Sequence, residues 1–84
     1  MTVLEPTYQQ TLQADPRQTV SVIITTADDP ASHADRLAAL GLTVTRTFTL
    51  ISALSATGPA EAVLRLASED WVVRIEPDKP VHTA

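Results

Sequence analysis

The stretch LTVTRTFTLISALSATG, Leu42 to Gly58, decides the fold. In its first half apolar Leu42, Val44 and Phe48 alternate with Thr43, Thr45 and Thr47, the period of two expected of a strand with one wet face. A second strand, LISALSATG, follows within a few residues, so the pair is expected to form an antiparallel hairpin turning between Phe48 and Ile51. This second strand is apolar on both sides: Ile51 and Ala53 point one way, Leu50, Leu54 and Ala56 the other.

Each side of the hairpin carries a helix and then a strand. Upstream, ADDPASHADRLAALG has Asp29 to cap free N–H groups, Pro30 at a first helical position and Gly41 as a left-handed stop, with Ala34, Leu37, Ala38 and Leu40 as the inward stripe. Before it, TVSVIITT (Thr19 to Thr26) is a β-branched strand with Val20, Val22 and Ile24 on one face. Downstream, Gly58 and Pro59 open PAEAVLRLASED, where Glu61 sits in the first turn and Val63, Leu64 and Ala67 form the apolar face. WVVRI (Trp71 to Ile75) is the last strand, with Trp71, Val73 and Ile75 alternating against Val72 and Arg74. Strand, helix, strand, strand, helix, strand is the pattern of an α+β ferredoxin-like β-α-β-β-α-β sandwich: a four-stranded antiparallel sheet with two helices on one face. The domain is expected to span residues 19–75, after a flexible leader over 1–18 and before an extended C-terminal tail over 76–84.

Two helices cover only one face of such a sheet, so the other is expected to present an apolar patch, which marks a binding surface more often than an accident. The alternation leaves open which set faces outward; the expected interface is Leu50, Ser52, Leu54 and Ala56. The tail, EPDKPVHTA, carries Pro77 and Pro80, and is expected neither to pair along a sheet nor to form a helix. It reads as a frayed end or as a ligand held extended.

Composition narrows the partners. With 84 residues the chain makes one small domain, and 44% hydrophobic against 19% charged residues is the balance of a globular chain. A net charge of −4 without a Lys/Arg cluster speaks against a nucleic-acid or membrane partner, since either surface needs a positive stripe. Without cysteine, neither a disulfide nor a thiolate metal site can form. The start, MTVLEPTYQQ, lacks the basic flank and apolar core of a signal peptide, so a complete chain is expected in the cytoplasm and a fragment of a secreted precursor outside the cell.

The sequence offers no convergent catalytic set. His33 reads as a solvated helical residue, Asp28 and Asp29 as capping groups, and Glu69 and Asp70 as turn residues. Gly41 and Gly58 are both assigned to helix boundaries, which leaves no phosphate loop, and the serines have no base and orienter nearby in the pattern. No enzyme activity, no metal and no cofactor are expected.

TFTLISALSATGPAEAVLRLASEDWVVRIEPDKPV (Thr47 to Val81) resembles the subtilisin propeptide family, which also includes free-standing inhibitors of subtilisin-like serine proteases. The likeness is carried by Phe48, the ALSAT strand from Ala53 to Thr57, the short helix ending in an acidic turn, and the final strand running into IEPD, Ile75 to Asp78. It implies that the helix-free sheet face packs on two parallel surface helices of a protease, with Glu76 and Asp78 capping their N-termini. It also implies that Pro80, Val81, His82, Thr83 and Ala84 lie in the substrate cleft like a bound product. There Val81 would fill an apolar pocket and the Ala84 carboxylate would reach the catalytic serine. The implied function is inhibition of a subtilisin-like serine protease by a chain that is a monomer when free. The alternatives are an intramolecular chaperone for its own protease, or a self-associating module that uses the bare face for a twin subunit.

Overall fold

A computed structural model describes residues 2–48 and 50–78. The chain runs β1 (Val3–Leu4), α1 (Pro6–Ala14), β2 (Thr19–Thr26), a 3₁₀ turn (Pro30–His33) leading into α2 (Ala34–Ala39), β3 (Thr43–Phe48), β4 (Ala53–Pro59), α3 (Ala60–Leu66) and β5 (Val72–Pro77). The strands form one sheet in the order β1-β5-β2-β4-β3. β2 lies antiparallel to both β4 and β5, β3 lies antiparallel to β4, and β1 alone pairs parallel, with β5.

The protein is therefore a small α+β domain with three helices and a five-stranded mixed sheet, which corrects the expected four antiparallel strands and two helices. The difference lies in the segment expected to be a mobile leader. Pro6 stands at the start of α1, whose Leu12 is fully buried, and Thr2 Oγ1 donates to Val72 O at 2.8 Å. The same segment completes α3. That helix starts after Pro59, which has no side-chain cap to offer, and its first N–H groups donate instead to main-chain carbonyls, Ala60 N to Gln18 O at 2.8 Å and Glu61 N to Pro16 O at 2.9 Å. α1 gave no periodic signal because it buries one leucine and half-buries Tyr8 among Gln and Thr.

Leu12 of α1, Leu37 of α2 and Ala60, Ala62, Val63 and Leu66 of α3 join Val22, Ile24, Leu54, Ala56, Val72 and Ile75 of the sheet in one core. All three helices thus cover the same face, and full burial of each leucine contributes roughly 1.5–3 kcal/mol. The helix before β3 begins and ends where its marks stand. Asp29 Oδ1 accepts from Ala31 N at 3.2 Å, and Gly41 has φ 98°, the left-handed conformation of a helix stop. Its inward stripe is narrower than expected, because Leu37 is buried while Ala38 is exposed.

Gly58 lies inside β4 rather than at a helix boundary. A Cβ there would stand 2.7 Å from Leu42 Cδ2 and 2.8 Å from Gly41 O, so only glycine lets the strand pass beneath that turn. β5 also departs from strict alternation: its pairing with β2 slips between Thr25 and Thr26, so that Val72 and Ile75 both face the core and Val73 is left exposed. It runs on through Glu76 and Pro77, which pair with Ile23 and Val22, and this corrects the expectation that the tail leaves the sheet at Glu76: Pro77 lacks only its N–H, and the rest of the extended backbone still fits the ladder.

Candidate functional site

The face of the sheet opposite the helices is the candidate site, and the register defines what it presents. Val22↔Ala56 and Ile24↔Leu54 are core pairs, so the intervening partners Ile23↔Ser55 and Thr25↔Ala53 project to the other side. Extended to the neighbouring strands, the pairing gives three rows. Arg74, Thr25, Ala53 and Phe48 form the first, and Glu76, Ile23, Ser55 and Arg46 the second. The third holds Ser21, Thr57 and Thr43, and Asp78 joins it by donating its N–H to Ser21 O at 2.9 Å.

This register corrects the expected interface. Leu54 and Ala56 lie in the core under the helices, and Leu50 and Ser52 belong to the turn beyond the strand. Leu54 and Ala56 pair with Val22 and Ile24, whose side chains already meet the helices, and a period of two then fixes the whole strand. The outward set is Ala53, Ser55 and Thr57. No broad apolar patch results among the described residues of this face. Its floor is of small residues, with Ser55 only 5% exposed and Ser21 Oγ 3.0 Å from Thr57 Oγ1. Half-buried Ile23 and Phe48 supply the apolar contact. The two most exposed large aliphatics among the described residues are at the hairpin tip, Leu50 at 99% and Ile51 at 60%.

Charge sits at the rims. On β5, Arg74 Nη1 lies 3.3 Å from Glu76 Oε1, both side chains about half exposed. On β3, the Arg46 guanidinium lies over the Phe48 ring, 5.8 Å from its centroid. Glu76 thus stands on the helix-free face, and the alternation along extended backbone carries to Asp78. The cleft residues expected in the tail, Pro80, Val81, His82, Thr83 and Ala84, lie outside the described residues. Arg46, Phe48, Ile23 and Ser55 were missed as site residues. The alternation of TVTRTF and TVSVIITT carried them, and only the strand order puts them side by side.

The other titratable groups hold the scaffold together. His33, expected on a solvated surface, is largely buried: its ring stacks on Trp71 with centroids 4.0 Å apart, and its Nε2 lies 2.6 Å from Asp28 Oδ1. Arg36 ties α2 to the turn before β5 through Glu69, Nη2 to Oε1 at 2.6 Å. Burial pushes the Tyr8 phenol above its ordinary value of 10.0. Among the described residues no three His, Asp or Glu side chains gather in a metal-holding group, and no helix is long and apolar enough to cross a membrane. A groove of about 300 Å³ lies at the β1–β5 edge, lined by Val3, Glu5, Arg74, Ile75, Glu76 and Pro77. Comparison with family models and with curated proteins gives no match for this chain.

Proposed function

We propose that this chain inhibits a subtilisin-like serine protease, laying the helix-free face of its sheet on the partner and directing residues 80–84 into the substrate cleft as an extended, product-like ligand. The observation that carries the reading is the end of β5. Glu76 projects from the helix-free face, and Asp78 still donates its N–H to Ser21 O, so two acids stand in succession where the chain leaves the sheet. Carboxylates so placed suit the free N–H groups of partner helix N-termini. The strand order β5-β2-β4-β3, antiparallel throughout, supports a ferredoxin-like sandwich to which β1 is added at the β5 edge and α1 beside α3.

The full chain assayed against a panel of subtilisin-like and chymotrypsin-like proteases tests this. Inhibition is expected only of the subtilisin-like members, and removal of Val81 to Ala84 is expected to weaken it at least tenfold, about 1.4 kcal/mol. The double change Glu76→Ala with Asp78→Ala is expected to weaken it as well, although neither residue reaches the catalytic serine. Inhibition of neither class, or a stable dimer of the free chain built on the bare face, would refute the reading.

A further inference from the structure

The helix-free face is electrically polar in the direction across its strands. Glu76, Ile23, Ser55 and Arg46 are successive partners in one row, from the β5 edge to β3. Three strand spacings of about 4.8 Å separate the carboxylate end from the guanidinium end, roughly 14 Å. The two ends are not equivalent. Glu76 already has Arg74 at 3.3 Å, and elsewhere Arg36 is matched with Glu69. Arg46 is exposed, and among the described residues it has no carboxylate within ion-pair distance; its guanidinium rests over Phe48 instead. An aromatic ring attracts a guanidinium electrostatically without using its N–H donors, so those donors stay available for a ligand.

We infer that Arg46 is the specificity-determining residue of this face, binding a carboxylate on the third turn of a partner helix. The inference rests on the docking reading above, in which Glu76 meets the first turn of such a helix. A helix rises about 1.5 Å per residue, so one that starts at Glu76 and crosses toward β3 reaches Arg46 after about ten residues, within its third turn. Ile23 and Ser55 lie between the two ends, uncharged, and Ser55 is low enough in the floor to leave room for a helix. The acid end cannot discriminate, because every helix presents free N–H groups at its start. The Arg46 end can: an Asp or Glu on the third turn completes a charge-assisted hydrogen bond, whereas a Lys or Arg there brings like charges together.

A charge-swap cycle tests this, using the full chain and an inactivated subtilisin-like protease whose docked helix carries an acid on its third turn. Arg46→Glu is expected to raise Kd at least tenfold, and Arg46→Gln by less. Replacing the helix acid with Lys is expected to weaken the unaltered chain by a similar factor and to be rescued by Arg46→Glu. The effect is expected to shrink as salt is raised. If Arg46→Glu binds as tightly as the unaltered chain while Glu76→Gln with Asp78→Asn binds more weakly, this inference falls and the docking reading stands. An equal loss against both protease forms would overturn it too, since the effect would not depend on the partner's charge. If the unaltered chain binds no subtilisin-like protease, both fall together.

Discussion

The two faces of β4 are almost equally shielded from water, yet they are built on opposite principles. Leu54 and Ala56 are buried because they face the core that the helices share with the sheet; Ala53 and Ser55, at 1% and 5% exposure, are buried because they are small and stand between longer neighbours on β2 and β3. One face is closed by tertiary packing within the chain. The other is a trough with rims, Arg46 and Phe48 on one side and Arg74 and Glu76 on the other, left uncovered by the described residues. Low exposure therefore marks two different things in adjacent residues, a finished core and, on the docking proposed above, an open seat.

A charge on the covered face should break the fold outright. Leu54→Asp places a carboxylate among Val22, Ile24 and Val63 with no partner. It is expected to cost at least about 4 kcal/mol, comparable with the whole stability of so small a domain, and to leave the chain unfolded by circular dichroism. A folded variant would mean that the two faces have been assigned the wrong way round.

The covered face also depends on α1, and that dependence can be measured. Leu12→Ala is expected to lower unfolding free energy by about 2–4 kcal/mol in a denaturant titration, because it empties a fully buried site against α3. A mobile leader would instead tolerate the change without effect. On the uncovered face, Ile23→Lys is expected to shift stability by no more than about 1 kcal/mol, since the site is half exposed and Glu76 lies in the adjacent row position. The same change is expected to weaken the proposed protease inhibition at least tenfold, about 1.4 kcal/mol, by putting a second cation under the helix that the proposal lays across this face. Large destabilisation with inhibition intact would erase the distinction between core and seat.

The smallest effect concerns Tyr8, half-buried against the core. Burial raises its pKa above 10.0 in the folded chain, so below pH 10 the phenol is neutral in both states and its pH-dependent contribution is fully present. As pH climbs past 10 the unfolded chain ionises first and the folded chain retains its proton, so stability falls through the folded pKa. A phenolate absorbance titration should show a midpoint above 10.0, and Tyr8→Phe should remove the corresponding slope in stability.

Much of the architecture is legible residue by residue. Asp29, Pro30 and Gly41 mark both ends of the second helical segment, and Phe48↔Ala53 closes the hairpin where the alternation breaks. The first eighteen residues are not legible. Leu12 is the only buried side chain of α1, and with half-buried Tyr8 one turn before it the two apolar positions among Gln and Thr are too few to set a period. Glu76, singled out in the sequence, stands on the helix-free face, whereas the floor of that face was misread: Ala53 and Ser55 form it, not Leu54 and Ala56. LISALSATG is apolar on both sides, so composition could not say which side the helices take.

What the sequence determined by itself is local: where strands, turns and helix ends fall. These follow from backbone preferences of Pro, Gly, Asp and β-branched residues within a few positions. Tertiary structure alone decided that Leu54 faces inward and Ser55 outward, that Pro16 and Gln18 carbonyls complete α3, and that Arg46 lies in one row with Glu76. Those relations join residues far apart along the chain, and no short-range periodicity encodes them. They are set by pairing register and by which apolar face gains most from burial, quantities that exist only once the strands lie side by side.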